Sequence, residues 1–189
     1  MTDTTRRMMG IGPASARDPH DFYATPPETT RALLRIECLT GPIWEPCCGQ
    51  GHMSEVLKAA GHTVISTDLV DYGYGEGGVN VLDQIDLRAP VVVTNPPFGI
   101  STKIISHLLS LGPQKLCILH KIQFLECHSR TSIVDGAYCR FGAGLARIYP
   151  FIGRQSLWKG GVPHTGGMLA LAWFVWERGY GGLPTVRRI

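Results

Sequence analysis

The order of residues predicts an α/β fold, a mostly parallel sheet with helices on both faces, and three observations carry that prediction. Short branched-apolar runs alternate with helical patterns, and one strand, helix, strand succession fits within about thirty residues, the size of a βαβ unit. Two strands, in "IWEPCCGQG" and "VVVTNPPFGI", end abruptly at a polar residue followed by a glycine loop or a proline corner. Ligands of open α/β sheets bind beyond the carboxyl ends of the strands, so the two endings predict two halves of one pocket.

The elements follow in order. Residues 1–20 hold Ser, Gly, Pro and Thr with no apolar core of signal-peptide length, and read as a loose, disordered arm ahead of one domain over residues 21–189. In "TPPETTRALLRIECL", Thr25 precedes Pro26 and Pro27, Glu28 follows, and Ala32, Leu33, Leu34 and Ile36 recur at helical spacing. "GPIWEPCCGQG" reads as a strand into a glycine loop, "HMSEVLKAAGH" as a helix closed by Gly61, and "TVISTDL" as a strand ending at Asp68. A glycine-rich loop leads to the strand "PVVVTN". After the corner, "STKIISHLLSLG" predicts a helix capped by Ser101, "KLCILHKI" a strand, and "FLECHSRTSIV" a further helix. Beyond Asp135 the pattern weakens: "LARIYPF" predicts a strand, "WKGGVPHTGG" a mobile loop, and "GMLALAWFVWERG" a terminal strand.

Composition narrows the function classes. With 44% hydrophobic and 17% charged residues among 189, the chain can bury a core, and its longest apolar run, "MLALAWFVW", is too short to span a bilayer. A cytoplasmic protein with no membrane partner is expected. The six cysteines form no spaced framework, which predicts reduced thiols, and the absence of a CxxC pair argues against zinc at Cys117, His120, Cys127 and His128. No metal is expected. Charge is uneven: residues 1–95 carry 7 Lys/Arg against 12 Asp/Glu, and residues 96–189 carry 11 against 3. The basic half, with Arg130, Arg140, Arg147, Arg154, Lys159, Arg187 and Arg188 spread through it, is able to face a polyanion.

The strand ends carry the chemistry. Gly49 and Gly51 let a ligand approach the backbone, and Asp68, at the next strand end, is placed to accept bonds from two ribose hydroxyls. Ser54 stands where a dinucleotide fingerprint has its third glycine, so a cofactor with a ribose and no phosphates fits better. Glu45 would balance an ammonium, and Asp83 would accept a bond from an adenine amine. At the corner, Pro96 and Pro97 fix the backbone and remove two N–H donors. The Asn95 side-chain oxygen and the Pro96 carbonyl then form a stiff acceptor pair for a conjugated NH₂ group, drawing its nitrogen toward tetrahedral geometry. Phe98 offers a flat face to a base taken out of its stack.

"EPCCGQG", Asp68 and "NPPF", in this order, resemble the S-adenosylmethionine-dependent amino-methyltransferases, and "DFYATPPETT" resembles the segment lying over the cofactor in their adenine-N6 branch. "KIQFLECHSR" and "ALAWFVWERGYGGLPTV" resemble phage- and prophage-encoded DNA adenine methyltransferases. The resemblance implies a Rossmann-like class I methyltransferase fold with an antiparallel C-terminal strand, and S-adenosyl-L-methionine as cofactor. It implies that Tyr23, Thr25 and Pro26 help cover the cofactor, and that the loop with Glu45, Pro46, Cys47, Gly49 and Gly51 holds its methionine part. Asp68, followed by Leu69, takes the ribose, and Asn95, Pro96, Pro97 and Phe98 form the methyl-acceptor site. The implied substrate is adenine in DNA; the alternatives are RNA adenine, a protein glutamine amide, or a catalytically idle nucleic-acid-binding homologue. Family members usually carry a separate target-recognition domain, and none is expected here. A short element within residues 123–168, help from a partner or a homodimer, or low sequence selectivity is expected.

Overall fold

The computed structural model describes residues 22–135, 142–163 and 167–189. The arm expected over residues 1–20, together with Cys139 and Arg140, lies outside them.

In chain order the elements are β1 (Tyr23–Ala24), α1 (Pro27–Leu34), β2 (Ile43–Glu45), α2 (His52–Ala59), β3 (Val64–Ser66), β4 (Val91–Thr94) and α3 (Ser101–Ser110). There follow β5 (Lys115–Lys121), α4 (Thr131–Val134), β6 (Ala143–Pro150), β7 (Trp158–Lys159), β8 (Leu171–Arg178) and β9 (Thr185–Val186). Seven strands form one sheet in the order β3-β2-β4-β5-β8-β6-β9, and β1 pairs with β7 in a small antiparallel ribbon. The first four strands are parallel, while β8 runs antiparallel to both β5 and β6, as the fold reading expects. After β3 the chain crosses β2 to reach β4, so the order reverses at β2, and a crevice opens there beyond the strand ends.

Side-chain alternation builds two cores from one sheet. Val92, Leu116, Ile118, Phe174 and Trp176 face α3, packing on Ile104, Ile105 and Leu108. Val91, Val93, Cys117, Leu119, Trp173 and Val175 face the other way, onto Leu33 of α1 and Met53 and Leu57 of α2. Near-continuous apolar strands such as "VVVT" are what a sheet covered on both faces requires. Among the described residues no helix is long and apolar enough to cross a membrane.

A shift of register between Leu145 and Arg147 turns Arg147 toward the α1 face. There its guanidinium meets Glu37 at 2.8 and 2.9 Å and Glu177 at 2.6 Å. Lys115 Nζ (2.5 Å) and the Tyr149 hydroxyl (2.8 Å) also donate to Glu37, which is 7% exposed. Arg147, expected among the surface cations, is therefore a sheet-bracing residue, because a buried carboxylate needs several donors.

Three local expectations are corrected. Ser101 does not cap α3: the cap position is Ile100, and the Ser101 hydroxyl donates to the Phe98 carbonyl at 3.0 Å. The helix expected over "FLECHSRTSIV" is broken into 3₁₀ turns at Ile122–Glu126 and His128–Arg130 before the four-residue α4. Cys127 is extended between the turns, and Arg130 donates to the Phe124 carbonyl at 2.8 Å, taking up a backbone acceptor that a continuous helix would use. Trp158 and Lys159, read as loop, are strand β7, since their partners Ala24 and Tyr23 of β1 lie near the other end of the sequence and are invisible to local pattern.

Candidate functional site

A cavity of about 330 Å³ lies at the carboxyl ends of β2, β3 and β4, within the size range of small-molecule sites. Tyr23, Thr25, Glu45, Pro46, Cys47, Asp68, Leu69, Asn95, Pro96, Pro97 and Phe98 all line it. Residues far apart in sequence are thus brought around one space by the switch in strand order.

The glycine loop forms one wall. Gly49 has φ 51°, and a side chain there would collide with the Phe22 ring. Gly51 has φ 82° and caps α2, where a Cβ would meet the Tyr74 ring. Neither glycine lines the cavity; they shape the loop that presents Pro46 and Cys47 to it. The Gly49 amide donates to Asp68 Oδ2 at 2.8 Å, and the Val70 amide to Oδ1 at 3.0 Å. Each carboxylate oxygen retains a further acceptor site for a ligand hydroxyl.

Glu45 is the most unusual side chain of the cavity. It is 2% exposed, and its polar partner is the Ser54 hydroxyl, which in turn lies 2.5 Å from the Ser66 hydroxyl. Among the described residues no cation forms an ion pair with it. Burial pushes its carboxyl up to about 8, outweighing the Ser54 bond, and Asp68 adds to the rise. A buried carboxyl without an ion-pair partner at a cavity wall is able, once ionised, to accept a cationic group. Burial also raises the Cys47 thiol and brings Cys48 to about 12, so neither supplies a thiolate near neutrality.

The proline corner, after the neighbouring strand β4, forms another wall. Asn95 Nδ2 donates to the Tyr23 carbonyl and to Thr25 Oγ1, both at 3.1 Å. A carbonyl can only accept, so the amide orientation is fixed by chemistry as well as by position. Its Oδ1 is left as the acceptor, next to Pro96, which has no N–H of its own. Phe98 packs against His120, ring centroids 4.5 Å apart, and His120 against Phe124 at 4.8 Å. Burial holds the His120 imidazole down at about 4, so it is neutral, and its Nε2 lies 2.9 Å from Ser101 Oγ. The Ser101 hydroxyl thus stands between the Phe98 carbonyl and the imidazole, while His120 Nδ1 lies 3.3 Å from the Lys121 carbonyl. Lys121 Nζ stands 5.2 Å from the Phe98 ring centroid, and the Arg130 guanidinium 4.5 Å from that of Phe124.

Besides Gly49 and Gly51, two further expected site residues are absent from the cavity lining. Pro26 is outside the cavity lining. Asp83 is exposed and also outside it, its carboxylate accepting from Asn80 Nδ2 at 2.9 Å. In the 3₁₀ turn Val81–Asp83, residues three apart eclipse, which pairs Asp83 with Asn80 and leaves Asn80, Val81 and Leu82 on the wall. Sequence reasoning missed these three, and also Phe22 and Tyr72, whose rings stack 4.6 Å apart at 26°. His52, edge-on to Trp158 at 5.8 Å, was missed too. Tyr72 sits in a glycine-rich stretch that locally signals only a turn.

No family model matches the chain, and no curated protein is significantly similar in sequence. Solved structures are similar in fold. A Pyrococcus horikoshii protein provisionally named an RNA methyltransferase aligns with TM-score 0.61 and 14% identity over 84% of this chain and 88% of its own. A Listeria monocytogenes protein provisionally named a class I S-adenosylmethionine-dependent methyltransferase aligns with TM-score 0.59 and 10% identity over 97% and 69%. The magnesium protoporphyrin IX methyltransferase of Synechocystis, solved with bound S-adenosylmethionine, aligns with TM-score 0.52 and 17% identity over 80% and 76%. The fold is that of the Rossmann-like class I methyltransferases.

Proposed function

We propose that this chain transfers the methyl group of S-adenosylmethionine to the exocyclic N6 amine of adenine in DNA, with the base extruded from its stack. The observation that carries the reading is the corner at Asn95, whose amide hydrogens are engaged by Tyr23 and Thr25 while its oxygen remains as an acceptor at the cavity beside Pro96.

The donor side fits the cofactor. Its ammonium suits the unpaired Glu45 carboxylate, its ribose hydroxyls suit the open sites of Asp68, and its adenine suits the apolar wall at Val81 and Leu82. When bound, the cofactor supplies an electrophilic methyl group on a sulfonium.

The chain's own residues do the rest. Asn95 Oδ1 and the Pro96 carbonyl accept the two hydrogens of the substrate amine, localising its lone pair. A neutral amide suffices because the amine becomes acidic only once alkylated, so no strong base is required, and His120, neutral, serves packing instead. Phe98, backed by His120, offers its ring to the extruded base. Basic side chains of the second half, Lys121 beside Phe98 among them, contact the phosphates. Target choice rests with an element in residues 123–168, a partner or a second copy of the chain. RNA adenine is the second reading, favoured by the name of the Pyrococcus neighbour.

The test is incubation with labelled cofactor and separate DNA, RNA and protein pools, followed by mass analysis of the product. N6-methyladenosine in RNA alone would overturn the DNA reading, and a methylated glutamine would overturn both. Asn95→Ala is expected to abolish transfer and keep cofactor binding; equal loss of the two would remove Asn95 from the acceptor site.

A further inference from the structure

Thr25 is buried, 4% exposed, at the junction of β1 and α1. The sequence resemblance gives it a place over the cofactor, yet its Oγ1 is spent on Asn95 Nδ2 at 3.1 Å, 70 residues away along the chain. The second acceptor of the same nitrogen is the Tyr23 carbonyl, also at 3.1 Å. Both acceptors belong to a stiff strap. Tyr23 and Ala24 are paired with Lys159 and Trp158 of β7, and Thr25 precedes two prolines, which restricts its backbone to extended conformations.

An asparagine amide has two orientations of nearly equal shape, related by a half-turn about its terminal torsion, and the torsion itself has little preference between them. One presents oxygen to the cavity and the other presents NH₂. Toward an incoming amine the second sets donor against donor. Nothing in "TNPPF" itself selects the first.

We propose that Thr25 is a positioning residue that locks the Asn95 amide with Oδ1 toward the acceptor amine, so that the strap β1–β7 completes the methyl-acceptor site from outside the sheet. The proposal rests on the acceptor role given to Asn95 above. Thr25 touches neither the reacting nitrogen nor the methyl group; it acts through Asn95, and the Tyr23 carbonyl acts with it.

The test uses the full chain with Thr25→Val, which keeps the shape and removes the acceptor, and Thr25→Ser, which restores it. The chain has two asparagines, Asn80 and Asn95, so isotope-labelled asparagine gives two pairs of side-chain amide signals in an NMR spectrum, assigned with Asn95→Ala. Thr25→Val is expected to move the Asn95 pair and leave that of Asn80, and to slow single-turnover transfer to an adenine oligonucleotide about tenfold. Cofactor Kd should stay within about twofold, and Thr25→Ser should recover both readouts. Unmoved Asn95 signals would overturn the contact. Moved signals with unchanged transfer would overturn the positioning role, and a loss of cofactor affinity matching the loss of rate would return Thr25 to the cofactor. A wild-type protein inactive on adenine refutes the functional reading alone, because the amide signals need no acceptor substrate.

Discussion

Glu45→Gln is expected to stabilise the ligand-free protein while impairing cofactor binding, and the pH dependence of the gain identifies its cause. The Glu45 carboxyl titrates at about 8 in the folded chain against an ordinary 4.5, with burial as the dominant cause. A carboxyl whose folded value is raised contributes stability fully present below pH 4.5 and lost as pH rises through 8. Each tenfold change in proton affinity is worth about 1.4 kcal/mol. Relative to glutamine, which does not titrate, the wild type should therefore lose about 3 kcal/mol by pH 7 and roughly 5 kcal/mol by pH 9. Glutamine can still accept from Ser54, so the hydroxyl keeps its partner. Denaturant unfolding of both proteins at pH 5, 7 and 9 measures the divergence. Calorimetric titration with S-adenosylmethionine should show wild-type affinity rising with pH toward 8, because the ionised carboxylate is the binding form, and weak binding throughout for the variant. Parallel stability curves would refute the account of Glu45 as a buried carboxyl awaiting a cation.

Asp68→Ala should weaken cofactor binding, since it removes two acceptor oxygens and frees the Gly49 and Val70 amides; unchanged Kd would remove Asp68 from the ribose site. Glu37→Gln should destabilise the fold by about 3 to 5 kcal/mol, because it strips the carboxylate from Arg147 and Lys115 in a buried cluster. Burial raises the Glu37 carboxyl, but bonds from Arg147, Lys115 and Tyr149 outweigh it and hold it below 4.5. Wild-type stability from this group should thus be present above pH 4.5 and fall as acid protonates it, a slope that the variant lacks in an acid unfolding series. Lys121→Ala should reduce the salt slope of oligonucleotide binding by about one and leave cofactor affinity intact; an unaltered slope would mean that Lys121 meets no phosphate.

The fold and the pocket's location were legible because their signals are local. "VVVT" and "IWE" read as buried strands from three or four residues, and a polar or proline stop at a strand end is visible in the chain itself. The expected residues Glu45, Asp68 and Asn95 stand at such ends, and all three reach one cavity. What failed to read depends on partners distant in sequence. Asp83 left the cavity wall because a 3₁₀ turn paired it with Asn80, Ser101 left its cap because His120 and the Phe98 carbonyl claimed its hydroxyl, and Arg147 left the basic surface because a bulge aimed it at Glu37.

Sequence alone determined the alternation of strands and helices and the backbone restriction at the two corners, since the conformational limits of glycine and proline need no tertiary context. Tertiary structure decided which way the groups point and what charge they bear. The Asn95 amide has one orientation because Tyr23 and Thr25 are brought to it from some 70 residues away, and Glu45 holds its proton near neutrality because the fold buries it with no ion-pair partner among the described residues. Hydrogen-bond direction and desolvation are properties of an assembled site, and no run of residues carries them before folding.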